Sequence, residues 1–214
     1  MKTQTSEMTN SKIIAEEQIE TVKKIFQEVF SERLNLKKVS APLAVIKGTG
    51  INDDLNGTER PVEFSIKNLQ GQKTEIVQSL AKWKRLRLME LGIDAGCGIL
   101  TDMKALRPDE EIDALHSIFV DQWDWEKHIV REQRTLNYLK STVRQIYGAI
   151  KETQRLLEFQ IPHLKHDLPD EIKFIHSEDL FNEYTEFTPK EREFEVARKY
   201  GAVFIIGIGG KLAK

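Results

Sequence analysis

Two β-strands around a polar turn are predicted by residues 103–127, MKALRPDEEIDALHSIFVDQWDWEK. Successive side chains of a strand alternate between its faces, and the two faces of the second strand differ in chemistry. One face is largely aromatic, with Ser117, Phe119, Asp121, Trp123 and Trp125. The other becomes increasingly polar, with His116, Ile118, Val120, Gln122, Asp124 and Glu126. Such alternation is typical of a half-exposed strand, but an amide and acids on the polar face also fit the floor of a binding site.

Composition describes an ordinary globular chain. The 214 residues suffice for one substantial domain with its own core. Hydrophobic residues make up 40% and charged residues 31%, which is usual for such domains. With 32 Lys+Arg against 34 Asp+Glu, the net charge of -2 implies no polyanionic partner, and we expect no nucleic-acid binding.

Cysteine content and hydropathy bear on the compartment. The single Cys97 excludes an intramolecular disulfide framework and a cysteine-rich zinc site. The N-terminus, MKTQTSEMTN, has no apolar segment typical of a signal peptide, and no apolar run reaches the roughly 18 residues of a membrane span. We therefore expect a cytoplasmic protein without a membrane partner.

The succession of elements predicts an α+β fold. Apolar residues at helical spacing predict a first helix over residues 11–34 and a long helix over about residues 126–159. In residues 188–191, TPKE, a threonine precedes a proline at the first helical position and a glutamate follows, which is a capping-box signature. The apolar residues 202–208, AVFIIGI, predict a buried strand. Between these elements, short strands joined by turns favour an antiparallel sheet with helices on its faces.

Several familiar site motifs fail on inspection. The residues 207–211, GIGGK, lack the spacing of a P-loop and the third glycine of a dinucleotide fingerprint. His163 and His166 are three residues apart, but no third ligand accompanies them, so solvated loop histidines are favoured over a metal pair. No GxSxG motif is present, and Cys97 has no neighbouring histidine in sequence, which gives a nucleophilic hydrolase little support.

A distributed polar constellation is the better candidate. The hairpin brings Arg107 to the mouth of the face that bears Gln122 and Asp124. Ser79 and Lys84 lie at a strand-to-helix junction. Arginine and lysine suit a phosphate or carboxylate, and interspersed acids suit an amine. A set of surface salt bridges is the plainer alternative for such an array, and the residues alone leave both open.

Five segments, taken in order, closely resemble ammonia-dependent asparagine synthetase, also called aspartate–ammonia ligase. They are GTGINDDLNGTERPV, QSLAKWKR, MKALRPDE, LHSIFVDQWDWE and the terminal GAVFIIGIGGKL. The resemblance covers nearly the whole chain. It implies an antiparallel sheet flanked by helices, similar to the catalytic domain of class II aminoacyl-tRNA synthetases. The short acidic loop of the hairpin leaves little to hold a tRNA, which favours a small-molecule enzyme.

The resemblance also implies a reaction and roles for its residues. ATP activates the β-carboxylate of aspartate as an acyl-adenylate, pyrophosphate leaves, and ammonia attacks to give asparagine and AMP. Arg107 is assigned to the α-phosphate, Lys84 and Gln122 to the aspartyl carboxylates, and Asp124 and Ser79 to orientation of the substrate. Asp53 is assigned to the ammonia or the substrate amine. His116 and Ser117 are assigned, with Arg107, to nucleotide binding, and no glutaminase half is implied.

The resemblance further implies a longer protein. Members of this family continue well beyond the GIGGKL segment, through a third motif whose arginine clamps ATP and through acidic residues that hold Mg²⁺. We therefore expect residues 1–214 to form a single catalytic domain that is incomplete at its C-terminus, with ATP and Mg²⁺ as its cofactors and the metal ligands unassigned. Gln78 and Cys97 stand where we expect a histidine and an acid, which puts local contacts in doubt.

Three expectations about assembly and activity stay open. We expect a homodimer through the first helix and the strand around Pro42, because the resemblance assigns those elements to dimer formation. An adenylating paralogue that acts on another amino acid is one alternative function. A non-catalytic remnant that serves as a binding module is the other.

Overall fold

The computed structural model describes residues 2–53, 55, 57–114, 116–161 and 168–209, with side chains from residue 12 onward. In chain order these residues form α1 Lys2–Leu34, β1 Leu36–Lys38, β2 Ala44–Ile46, β3 Glu63–Ser65, β4 Lys73–Ile76, α2 Ala81–Glu90, β5 Gly98–Leu106, β6 Phe119–Lys127, α3 Leu136–Gln160, β7 Lys173–His176, α4 Ser177–Glu183, α5 Pro189–Tyr200 and β8 Val203–Ile206. The chain divides into two compact units. One unit is Leu34–Gln133, and the other holds the described residues up to Arg33 together with those from Arg134 onward.

The unit Leu34–Gln133 contains two three-stranded sheets, ordered β1-β5-β6 and β2-β4-β3. Strands β5 and β6 form the predicted antiparallel hairpin, in register from Gly98↔Lys127 to Leu106↔Phe119. Strand β1 pairs with β5 in parallel, whereas β4 pairs with both β2 and β3 in antiparallel fashion.

Four fully buried residues form one core cluster of this unit: Val77, Leu80, Met103 and Ala105. Trp83 of α2 and Val120 of β6 pack against them. Each buried apolar side chain contributes about 1.5–3 kcal/mol relative to exposure. This packing holds α2 on one face of the β5–β6 hairpin.

The second unit has its own core and its own sheet. Ile25 of α1 packs with Leu157 and Ile161 at the end of α3, and β7 pairs with β8 in parallel. The predicted capping box is present at α5, where the Glu191 N–H donates to Thr188 Oγ1 (3.4 Å) and the Thr188 N–H donates to the Glu191 carboxylate (2.7 Å).

The α+β class is confirmed, but three local predictions were wrong. The long helix begins at Leu136 rather than near residue 126, because β6 runs on to Lys127 and the Thr135 side chain caps α3 by accepting from the Tyr138 N–H. Pro42, expected within a strand, lies between β1 and β2. The β8 residues are only half-buried. Within the part of the chain that the structure describes, no helix is long and apolar enough to cross a membrane.

Candidate active site

The hairpin register sets which side chains share a face. Gln122 lies opposite Met103, and Asp124 lies opposite Thr101. The Arg107 N–H donates to the Ile118 carbonyl at 2.8 Å, so the pairing continues past the end of β5. Cross-strand partners present their side chains on the same face. Arg107, Gln122 and Asp124 therefore lie on one face of the hairpin, the face that α2 covers through Met103.

An ion pair joins α2 to this face. Lys84, in the first turn of α2, contacts Asp124 Oδ1 through its Nζ. The lysine side chain is 5% exposed and the carboxylate is 16% exposed. Lysine is almost never buried unless it is paired, and the partner here comes from a strand 40 residues away in sequence. A cation and an anion thus lie side by side at a buried position.

Arg107 is held at the end of the same face with unused donor capacity. Pro108 follows it and occupies the second position of a turn closed by the Glu110 N–H to the Arg107 carbonyl (3.2 Å). The guanidinium donates from Nη2 to the Gln78 carbonyl at 3.5 Å and lies 4.0 Å from Glu110 through Nη1. Its Nε is buried and has no acceptor among the described residues. A charged donor of this kind binds an anion more strongly than a neutral acceptor.

Asp53 and Ser79 meet beside α2. The Asp53 N–H donates to the Ser79 carbonyl at 3.3 Å, and the Asp53 carboxylate lies 3.5 Å from Lys82 Nζ in the first turn of α2. Ser79 follows Gln78, whose carbonyl accepts from Arg107. The strand-to-helix junction thus links the Asp53 loop to the Arg107 end of the hairpin.

His116 and Ser117 form bonds within the hairpin turn. The His116 N–H donates to Asp113 Oδ1 at 2.8 Å, and its Nδ1 lies 2.9 Å from the same carboxylate. Ser117 Oγ accepts from the Phe119 N–H at 3.3 Å. Both side chains are exposed. These contacts do not bring either residue to the Lys84–Asp124 pair.

Sequence reasoning missed the residues that anchor the Asp53 loop. Asn52 is 6% exposed, and its side chain bonds the backbone of Ile76 and Gln78. Arg60, at the other end of the loop, forms an ion pair with Asp109. An asparagine or arginine in a Gly-rich loop is common, so their spacing carried no signal.

The arrangement suits a zwitterionic amino acid together with a phosphate. A substrate carboxylate can bind Lys84, its ammonium can bind Asp124, and Arg107 remains for a phosphoryl group. The described residues contain no group of three His, Cys, Asp or Glu side chains placed to hold a metal ion. His163 and His166 lie outside the described residues.

Comparison with known proteins identifies a family. The family model described as aspartate-ammonia ligase matches residues 13–214. The chain is 54% identical over 195 residues to the aspartate–ammonia ligase of Parabacteroides distasonis, covering 91% of this chain and 56% of that protein. It is 54% identical over 194 residues to the aspartate–ammonia ligase of Bacillus cytotoxicus, covering 91% of this chain and 59% of that protein. The chain thus spans a little over half the length of these curated relatives.

Solved structures identify the fold. An asparaginyl-tRNA synthetase of Pyrococcus horikoshii complexed with asparaginyl-adenylate superposes with a TM-score of 0.63 at 11% identity, covering 88% of this chain and 44% of that one. The asparaginyl-tRNA synthetase of Entamoeba histolytica in complex with asparaginyl-adenylate gives a TM-score of 0.59 at 13% identity, covering 89% and 42%. The expected likeness to class II synthetase catalytic domains is confirmed.

Proposed function

The chain belongs to the aspartate–ammonia ligase family, and from that premise we propose that its hairpin face forms the aspartate-activating site of an ammonia-dependent asparagine synthetase. The observation that carries the proposal is the buried Lys84–Asp124 pair on the same hairpin face as Arg107. It offers adjacent opposite charges for an amino acid and a nearby cation for a phosphate.

Aspartate binds to the floor of this face. Lys84 and Gln122 hold its carboxylates, and Asp124 and Ser79 orient the molecule through its ammonium group. A lysine ammonium has three donors, so Lys84 keeps donors for the ligand while it stays paired with Asp124. Burial of this pair strengthens its interaction with the substrate charges, because the local dielectric is lower than in water.

The first chemical step forms an acyl-adenylate. An oxygen of the β-carboxylate attacks the α-phosphorus of ATP, a new P–O bond forms, and the bond to pyrophosphate breaks. Negative charge accumulates on the α-phosphoryl oxygens in this transition state. Arg107, fixed by the turn at Pro108, stabilises that charge without reorganising. His116 and Ser117 contribute to nucleotide binding from the hairpin turn.

The second step transfers the acyl group to ammonia. The nitrogen lone pair attacks the β-acyl carbon, the C–O bond to AMP breaks, and the added nitrogen loses a proton. Asp53 lies at the junction with Ser79 and assists the incoming ammonia. The adenylates bound to the two synthetases of similar fold support an intermediate of this type.

Mg²⁺, when bound with ATP, would neutralise charge on its phosphates. The roles above belong to the side chains of this chain. Each can be tested by substitution.

A homodimer through α1 and the segment around Pro42, between β1 and β2, is also proposed. Ile19 of α1 is about half exposed, although Ile25 and Phe30 of the same predicted apolar stripe are buried within the chain. The exposed part of the stripe is therefore the surface left for a second copy.

The function is tested by measuring products. The 214-residue chain, and a second form extended by the C-terminal remainder of the P. distasonis relative, are incubated with ATP, aspartate and either ammonium or glutamine. We expect the extended form to produce asparagine, AMP and pyrophosphate in equal amounts with ammonium and none with glutamine. Pyrophosphate release with another amino acid but not with aspartate would favour an adenylating paralogue and contradict the proposal.

A further inference from the structure

The loop that carries Asp53 is anchored at two points of unequal strength. The inner anchor is Asn52, whose Oδ1 accepts from the Gln78 N–H at 2.8 Å. Its Nδ2 donates to the Ile76 carbonyl at 3.3 Å and to Glu75 Oε2 at 3.2 Å. This side chain is almost fully buried, and breaking its bonds would leave buried polar groups unsatisfied. The inner anchor is therefore fixed.

The outer anchor is the pair of Arg60 and Asp109. The Arg60 N–H donates to Asp109 Oδ2 at 2.7 Å, and its Nε donates to Oδ1 at 3.0 Å. The guanidinium Nη2 also bonds Oδ1. Three donors of one residue thus converge on a single carboxylate. Pro61 follows Arg60 and favours an extended backbone there, which helps to aim the N–H.

Exposure distinguishes the outer anchor from the inner one. The Arg60 side chain is 79% exposed and that of Asp109 is 26% exposed. Exposed ion pairs add little stability and exchange readily with water. A bond of this kind can open and close at small cost, whereas the Asn52 anchor cannot.

The outer anchor ties the loop to the turn that holds Arg107, the cation proposed to bind a phosphate. Asp109 lies in the turn Arg107–Glu110, directly after Pro108. Gln78 adds a second connection, since its Nε2 donates to the Arg60 carbonyl (3.2 Å) and its own carbonyl accepts from Arg107. Asp53 lies between the two anchors, next to Ser79. The loop therefore joins the amino-acid end of the site to the phosphate end.

We propose that Arg60 and Asp109 are positioning residues whose ion pair latches the Asp53 loop onto the Arg107 turn. The latch joins the two ends of the site, and Asn52 fixes the loop at its inner end. The identity of the ligands at the two ends rests on the proposed function, but the latch itself does not.

Hydrogen exchange measures the latch directly. Amide exchange of residues 48–60 is followed by mass spectrometry in the unsubstituted chain and in Asp109→Ala, Arg60→Ala and Arg60→Lys. Asp109→Ala removes the acceptor of all three donors, and we expect exchange to accelerate roughly three- to tenfold, the range that the net contribution of an ordinary hydrogen bond gives. Arg60→Ala keeps the backbone donor and should give a smaller increase. Arg60→Lys keeps the positive charge but loses the paired N–H donors of the guanidinium. It should give the smallest increase in exchange rate.

A matched control separates the latch from a general loss of surface charge. Arg198 on α5 donates through Nε and Nη2 to Glu195 and is 69% exposed. Arg198→Ala removes a comparable ion pair from the other unit. We expect it to leave exchange of residues 48–60 unchanged.

Aspartate binding shows whether the latch positions Asp53. Isothermal titration calorimetry with aspartate is carried out on Asp109→Ala, Asp53→Asn and the double variant. If the latch acts through Asp53, Asp109→Ala weakens binding several-fold in the parent chain and has little further effect once Asp53 is replaced. If Asp109 only stabilised the fold, the effects of Asp109→Ala and Asp53→Asn on aspartate binding would be additive.

The outcomes separate the two proposals. Unchanged exchange of residues 48–60 in Asp109→Ala would overturn the latch, whatever the ligand. Accelerated exchange with additive binding effects would overturn its positioning role. Accelerated exchange in a chain that binds no aspartate would support the latch and count against the proposed function alone.

Discussion

Lys84 of α2 and Asp124 of β6 form an ion pair whose two side chains are 5% and 16% exposed. This pair links the helix to the hairpin on the face that also carries Gln122 and Arg107. It belongs both to the packing of the unit Leu34–Gln133 and to the proposed site. Its two roles make separate predictions.

The stability role predicts that breaking the pair from one side is costly. Asp124→Ala should lower the free energy of unfolding by about 3 kcal/mol, because it leaves a buried lysine charge without its partner. Urea unfolding followed by tryptophan fluorescence reports on this unit specifically, since all three tryptophans, Trp83, Trp123 and Trp125, lie in it.

Two variants calibrate that measurement. Asp121→Ala removes the more exposed Lys104–Asp121 pair from the opposite face of the hairpin and should cost less than about 1 kcal/mol. The double variant Lys84→Met with Asp124→Leu should recover most of the loss, because apolar replacements of a buried pair are often neutral. Equal losses in the single and double variants would contradict a buried charge pair.

The catalytic role proposed for Arg107 predicts a loss of rate. Arg107→Ala should reduce aspartate-dependent pyrophosphate release about 100- to 1,000-fold, the usual effect of removing one preorganised donor to a developing charge. Arg87→Ala is the control, since Arg87 pairs with Glu90 on the exposed part of α2. A reduction below about tenfold in Arg107→Ala would show that another group carries the phosphate charge.

The Arg60–Asp109 latch predicts that protection of the loop does not change between pH 8 and pH 5. Hydrogen bonds from the Arg60 guanidinium and backbone N–H hold the pKa of Asp109 below its ordinary value. A group with a depressed folded pKa contributes stability above its unfolded pKa, about 3.9 for aspartate, and loses it as the pH falls through the lower folded value. Protection of residues 48–60, corrected for intrinsic exchange, should therefore be the same at pH 8 and pH 5. Loss of protection between these values would assign the latch to a different titrating group.

The proposed dimer predicts a change of mass on substitution in α1. Ile19→Glu should convert the dimer into a monomer at micromolar concentration, because a charge would enter the apolar surface proposed for the second copy. Light scattering coupled to size exclusion gives the mass directly. Phe194→Glu, at a similarly exposed apolar position on α5, should leave the mass unchanged. A parent chain that is monomeric would contradict the dimer.

Local signals in the sequence predicted the parts of this fold that local interactions determine. The capping box at Thr188 involves a residue three positions away, and the β5–β6 hairpin is a pairing of neighbouring strands; both were predicted correctly. The start of α3 was misjudged because the apolar pattern before Thr135 continues through a strand and a short turn. Alternation along β6 likewise grouped Gln122 with Asp124 on one face, which the register reproduces.

Long-range contacts of the candidate site carried no such signal. Asn52 bonds residues 23–26 positions away, and Arg60 bonds a carboxylate 49 positions away. No periodicity or spacing encodes such pairs, because they depend on how the loop crosses the sheet. The burial of Lys84 was equally hidden, since a lysine in a basic helix is usually exposed.

The formation of an aspartyl-adenylate is tested most directly by isotope transfer. Aspartate labelled with ¹⁸O in both β-carboxylate oxygens is supplied with ATP and ammonium, and the AMP and asparagine are analysed by mass spectrometry. If the β-carboxylate attacks the α-phosphorus, AMP leaves with one labelled oxygen and asparagine keeps the other. We expect this result for the form extended with the P. distasonis segment, and far less labelled AMP in the same time from Arg107→Ala. Asparagine formed alongside unlabelled AMP, or with label in inorganic phosphate and ADP as the product, would contradict it.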